Sequence, residues 1–377
     1  SMTNTAANDG FSEGLNASIG GATGDATAVG SFNLLGAGDT DSSSLVVGID
    51  TTTAGAKSGT ATITAQSDGA GTSNIAGNVD LADQTVNVSG NVYQTAQASV
   101  SIAPIDFGIV HVGDLAERTL AVSNTAPVAA LNDTLTGGID NFTNSRFSAP
   151  ANLGTGVMAG GTDNTSLLVS MDTGSAGVLN GAMDLELFSH NQDLADLLLV
   201  DETIGLSGQV NEYANPAFDK SAGNGALTGS GVLFTLNFGD ILLGSGVTLE
   251  ATAAFGNNVL GTFVDLMDGD FVSTAGDFVV TNLLTGFDNA GAGIFFDVAT
   301  IAFDSTGLSQ GLYSGALVWQ ARGHNASGYE DFRNVTLAVR ANIVDAASVP
   351  EPAVLLLLIP GLLIMLRFTE SRRRTAA

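Results

Sequence analysis

A stretch near the start of this chain returns 122 residues later. Ser44-Leu45-Val46-Val47-Gly48-Ile49-Asp50-Thr51 is answered by Ser166-Leu167-Leu168-Val169-Ser170-Met171-Asp172-Thr173. Each copy runs on to a glycine pair, Gly55 and Gly59 in one and Gly177 and Gly181 in the other. Val88-Ser89-Gly90 returns as Leu206-Ser207-Gly208. Near the end, Phe303-Asp304-Ser305 leads to Gly311 and Gly315 and then to a strand through Trp319. Openings repeat as well: Phe107-Gly108 with Val112-Gly113 resembles Phe238-Gly239 with Leu243-Gly244, and Asn4-Thr5-Ala6 matches Asn124-Thr125-Ala126. Such self-similarity restricts the chain to an array of like units.

The spacing predicts three modules, 1–98, 99–213 and 214–345, followed by a linker and tail over 346–377. Gly59 to Ala65, Ala182 to Phe188, Gly315 to Gln320 and Val335 to Ile343 alternate with period two, as half-buried strands do. Turn signals every 8–12 residues or so favour β-sandwiches. The predicted fold is all-β: tandem sandwiches, then one short C-terminal hydrophobic helix. Gly108 and Gly113 are expected where φ is positive or backbones approach closely. Asp50, Asp172 and Asp304 fit turns in which a carboxylate accepts backbone N–H bonds. Asn4 matches a position inside a module, so module one is expected to lack equivalents of Ile105 to Val122. Ser1-Met2-Thr3-Asn4 carries no signal-peptide pattern, and a secretory signal is expected upstream.

The tail has three parts. Val349-Pro350-Glu351-Pro352 favours an extended, accessible backbone. Ala353 to Leu366 is uncharged; as a helix it would be roughly 21 Å long, short of the ~30 Å hydrocarbon core. Arg367, Arg372, Arg373 and Arg374 are costly to carry across a bilayer and stop the span on the cytoplasmic side. Everything before Val349 is therefore expected outside the cytoplasm.

This order of proline motif, apolar run and basic end resembles the PEP-CTERM sorting signal of exported Gram-negative proteins. The resemblance implies recognition and cutting by exosortase, inner-membrane anchoring before processing, and then a place at the cell surface or in the extracellular matrix. A second resemblance rests on Ile105-Asp106-Phe107-Gly108, Val112-Gly113 and Val122-Ser123-Asn124-Thr125. These look like the choice-of-anchor D repeat, which is related to the ASPM–Hydin type, and that implies immunoglobulin-like sandwiches. Module three departs from the pattern: it lacks the Asn-Thr step, reading Gly256-Asn257-Asn258 instead, and carries an insertion over Val259 to Gly276.

Charge narrows the partners. The chain has a net charge of −27, and its part before Pro350 holds 7 basic and 36 acidic residues. Such a surface repels nucleic acid and anionic lipid. The absence of cysteine excludes disulfides and thiol chemistry. His111, His190 and His324 show no spacing that would assemble a nucleophile, base and acid, and His111 is expected to face solvent. The chain thus reads as non-enzymatic, with a structural role in the envelope or an exopolysaccharide or biofilm matrix.

Three other readings follow from particular residues. Asp265, Asp268 and Asp270 form the densest acidic patch and are candidate calcium ligands in a calcium-stiffened stalk, but their spacing fails the calcium-loop pattern. Trp319 and Tyr329 are candidates for stacking on a sugar in a carbohydrate-binding or adhesive module, against a core role for Trp319. A secreted hydrolase would need a pocket around one histidine.

Overall fold

The computed structural model describes residues 1–149 and 152–345, and every regular element in them is a strand. The predicted C-terminal helix and sorting tail lie outside the described residues. Contacts divide the chain into two units. The first comprises Ser1–Phe107, Ala116–Asp172 and Asn180–Ser207; the second comprises Gly108–Leu115, Thr173–Leu179 and the chain from Gly208.

In the first unit, β1 (Gly14–Gly24) pairs antiparallel with β2 (Ser31–Leu35) and with β3 (Gly55–Asp68), and β4 (Gln84–Val92) pairs with the other edge of β3. Another sheet, not confined to that unit, takes β5 (Ile105–His111), β6 (Thr134–Asp140), β7 (Gly177–His190) and β8 (Leu197–Asn211) in the order β5-β8-β7-β6. The alternation read in the sequence sets their faces. Met183, Leu185 and Leu187 of β7 are buried, as are Ile204 and Leu206 of β8, while the intervening residues of β7 are more exposed.

The second unit is a sandwich. One sheet runs β9 (Pro216–Gly223), β12 (Thr248–Asn257), β16 (Phe295–Asp304) and β14 (Val279–Thr281). The other runs β10 (Ala226–Ser230), β11 (Leu233–Leu242), β18 (Glu330–Val344), β17 (Gly311–His324), β13 (Leu266–Gly276) and β15 (Gly286–Ala290). Inward residues of both sheets join one core, including Phe255 and Phe303 from the first and Leu236, Met267 and Trp319 from the second. β18 pairs antiparallel with β17 from Gly311↔Ile343 to His324↔Glu330 and parallel with β11. The closing strand predicted over Val335 to Ile343 thus lies inside its sheet.

The repeats share backbone detail. Gly55, Gly177 and Gly311, each the first of its pair, have φ of 146°, 154° and 150°, values that L side chains rarely adopt. Gly108 and Gly239 have φ of 73° and 82° with open space where a Cβ would stand, so conformation, not crowding, selects glycine there. Asp50 and Asp304 each accept the N–H two residues on, from Thr52 and Thr306, both at 2.9 Å.

One sequence expectation is corrected. The stretch Val259 to Gly276 is not an insertion throughout. Leu266–Gly276 pairs with Gly311–His324 as Thr134–Asp140 pairs with Gly177–His190, so β13 is the counterpart of β6.

Candidate functional site

Three buried asparagines mark the same place in each repeat. Asn4 donates through Nδ2 to the carbonyls of Glu13 and Leu35 at 3.0 and 2.9 Å. Asn124 donates to Val157 O at 3.1 Å and Asp133 O at 3.4 Å, and its Oδ1 accepts from Gln97 and Ala126 N–H. Asn257 donates to Asp265 O at 3.0 Å and accepts from Asn215 and Val259 N–H. Each side chain stands in for backbone partners that a loop cannot supply. Asn257 shows that the third repeat does carry the asparagine step. Asn258, not threonine, follows it, so the Asn-Thr pattern alone does not reveal the match.

The acid reached by each asparagine is the next shared feature. In the first unit Asp133 is buried and accepts Ser189 Oγ at 2.6 Å and Asn191 Nδ2 at 2.8 Å. In the second unit Asp265 is 1% exposed and accepts His111 Nε2 at 2.7 Å and both Asn211 Nδ2 and Asn325 Nδ2 at 2.9 Å. The segment that follows β4, and likewise the one that follows β8, pairs its backbone beside the acid. Gln94 N–H donates to Leu131 O and Asp133 N–H to Gln94 O, each at 2.9 Å; Glu212 N–H donates to Phe263 O at 2.9 Å and Asp265 N–H to Glu212 O at 3.0 Å. A segment between repeats is thereby held by backbone pairing beside a buried, fully engaged carboxylate.

His111 is therefore not a solvent-facing strand residue: it is 4% exposed. The positive φ at Gly108 and the turn at Gly113 bring its ring inward. Its Nδ1 lies 3.4 Å from Asp114 Oδ2, so carboxylates face both ring nitrogens. Tyr213 stacks on the imidazole at 3.9 Å between centroids, and Tyr329 tilts against it at 4.4 Å. Burial, with Asp114 beside it, raises the Tyr213 hydroxyl above its ordinary pKa. A general base needs one ring nitrogen open to a nucleophile. Here Asp265 holds Nε2 and Nδ1 faces Asp114, and the arrangement is a pin.

A second polar group lies in the same unit. Asp268 is bridged by Arg322 and by His324 Nε2 at 3.2 Å, and it accepts Asn289 N–H at 2.8 Å. Burial pushes its carboxyl up, but the Asn289 N–H, the guanidinium and the imidazole outweigh that and hold it below its ordinary value. A depressed carboxylate contributes stability that is present above its unfolded pKa and is lost as pH falls through the folded one. Asp268→Asn is expected to cost about 1.5–3 kcal/mol at neutral pH. The gap to the parent should close below about pH 4. Urea denaturation at neutral and acid pH measures it; an unchanged gap under acid conditions would show that charge is not the cause.

The remaining candidates do not converge. Asp270 is exposed on β13, whereas Asp265 and Asp268 are buried with separate partners. Among the described residues no group of three or more His, Asp or Glu side chains is placed to hold a metal ion. Trp319 is 0% exposed and offers no ring face to a sugar. Tyr329 belongs to the His111 cluster, not to a pair with Trp319. His190 is paired with Asp196 at 2.6 Å on the surface of the first unit. Val349, Pro350, Glu351, Pro352, Arg367, Arg372, Arg373 and Arg374 lie outside the described residues. Asp133, which no motif singles out, and Asp265, expected only as a candidate calcium ligand, follow their asparagines by nine and eight residues, as Glu13 follows Asn4 by nine. That spacing is the signal that could have found them.

No family model matches the chain, and no curated protein matches its sequence. Among solved structures it is similar to the extracellular domain of protocadherin GammaB4, at 9% identity and a TM-score of 0.29, covering 90% of this chain and 50% of that one. It is also similar to mouse cadherin-23 EC22-24, at 9% identity and a TM-score of 0.30, covering 90% of each chain. The chain spans about half the length of the protocadherin. Likenesses of this degree carry no argument about function.

Proposed function

We propose that this chain is a non-enzymatic, exported surface or matrix protein. On this reading it is built of tandem immunoglobulin-like sandwiches and sorted through its C-terminal tail. The observation that carries the structural part is the recurrence of one bracing set. Asn124 with Asp133, and Asn257 with Asp265, each fasten a backbone-paired segment, while the histidines are all engaged by carboxylates. Residues repeated for bracing, in a chain rich in strands and acids, suit a stiff spacer better than a reaction site.

The tail supplies the destination. Its resemblance to the PEP-CTERM signal supports handling by an exosortase-type enzyme, with the inner membrane as a temporary partner and the surface or an extracellular polysaccharide matrix as the end point. An acidic coat keeps such a spacer soluble and off nucleic acid. The test is the C-terminal mass of the native protein recovered from the cell surface. A chain ending near Val349–Pro352 is expected; one running to Ala377 would overturn processing at the tail.

A further inference from the structure

In the second repeat β8 outruns its neighbour. β8 has fifteen residues and β5 seven. Pro104, just ahead of β5, lies against Gly205, where an added Cβ would meet it at 3.7 Å, and Ser207 Oγ donates to Asp106 Oδ1 at 3.1 Å. β5 therefore runs beside β8 only from there onward. Among the described residues no other backbone pairs with residues 197–203 on the edge away from β7. That edge opens with Leu197-Leu198-Leu199-Val200. Leu197 and Leu198 are exposed, and Leu199 and Val200 are only half-buried.

The third repeat has the same strand with the opposite edge chemistry. β18 also has fifteen residues, and β11 pairs with it only from Thr336 onward. Counted from the first residue of each strand, Ile204, Leu206 and Val210 hold the places of Leu337, Val339 and Ile343, all of them buried. Leu197-Leu198-Leu199-Val200 therefore stands where Glu330-Asp331-Phe332-Arg333 does. There Arg333 pairs with Asp331 at 2.6 Å and Glu330 with Arg322 at 3.2 Å. Charges on an edge strand block pairing with another chain, and a bare apolar edge invites it.

We propose that residues 197–203 form a self-association edge, to which a second copy of the chain adds its own residues 197–203, antiparallel, about a two-fold axis. Self-complementarity argues for that occupant. The chain has a net charge of −27, so two copies repel except where a run is uncharged, and residues 197–200 are such a run. The acids beside it fix the register, because like charges directly opposite destabilise a strand pair. An axis at Asp201 or Glu202 sets that carboxylate against itself, and an axis at Leu199 sets Glu202 against Asp196. An axis at Val200 places Asp201, Glu202 and Thr203 opposite Leu199, Leu198 and Leu197. The unpaired N–H and C=O groups of both edges then find partners.

The chain has no cysteine, so single introduced thiols report proximity when the full chain is oxidised in mild detergent. Val200→Cys is expected to give a disulfide-linked species of twice the chain mass, since directly opposite residues have Cβ atoms about 4.5–5.5 Å apart. Leu197→Cys alone should keep the single mass, because its two copies would stand roughly 20 Å apart along the strands. An equal mixture of Leu197→Cys and Thr203→Cys chains should link. Adding Leu198→Asp and Leu199→Asp to the Val200→Cys chain is expected to abolish the dimer. Phe332→Cys, at the charged counterpart edge, reports association of any other kind, through the tail included. Equal linking by Val200→Cys and Phe332→Cys overturns the proposal. So does a Val200→Cys chain that keeps the single mass, or one that links only to a different protein in cells.

Discussion

Asp265→Ala is expected to lower the stability of the second unit by about 3–5 kcal/mol, the usual cost of leaving buried charged and polar partners without their acceptor. The carboxylate is almost wholly out of water and receives one imidazole and two amide donors. Alanine removes all three acceptor contacts at once. It cannot move the donors to solvent, because Asn211 and His111 are themselves buried. Asp265's backbone still pairs with Glu212 and Asn257, so the strand ends should stay in place. His111→Ala removes one donor and leaves the acid with two, and a smaller loss follows. The double variant should fall short of the sum of the two, because both changes break the same bond. Urea denaturation followed by Trp319 fluorescence reads this unit alone, since Trp319 is the single tryptophan of the chain. A loss below about 1 kcal/mol for Asp265→Ala would show that the carboxylate is not the hub of this network.

Trp319→Ala is expected to cost about 3–5 kcal/mol for a different reason. The indole is at the centre of the sandwich, with Phe255 at 5.6 Å, Phe287 at 5.8 Å and Phe271 at 6.4 Å between ring centroids. Truncation opens a cavity bounded by both sheets, and strands paired over their whole length can collapse into it only partly. Trp319→Phe should cost much less, about 1.5 kcal/mol or under. Trp319 Nε1 has no hydrogen-bond partner among the described residues, so phenylalanine discards an unsatisfied buried donor while keeping most of the apolar volume. Thermal unfolding by circular dichroism separates the two. Equal losses for alanine and phenylalanine would mean that something other than the cavity destabilises the truncated sandwich.

Strand positions were legible in the sequence because burial on one face imposes a two-residue period. Val335 to Ile343 alternates so regularly that its being a strand follows from the pattern alone. The repeat was legible because some positions admit few residue types. A backbone at φ near 150° selects Gly55, Gly177 and Gly311 wherever the fold returns, and an N–H two residues on selects Asp50 and Asp304. Such constraints are local, and they survive where neighbouring side chains have drifted.

Partners far apart in the chain were not legible. His111 and Asp265 are separated by 154 positions, and nothing in Val110-His111-Val112 says which face of β5 is covered. A histidine between valines reads as solvent-facing until another strand is laid over it. Asn257 is followed by Asn258, so the Asn-Thr pattern does not reach it, whereas the fold uses only its amide, placed where a loop leaves backbone groups without partners. The sequence alone therefore determined the all-β class, the repeats and their tight turns, through side-chain periodicity and backbone conformation. Only the tertiary structure decided which carboxylates are buried and which polar groups they hold, because desolvation depends on what another part of the chain lays over each strand.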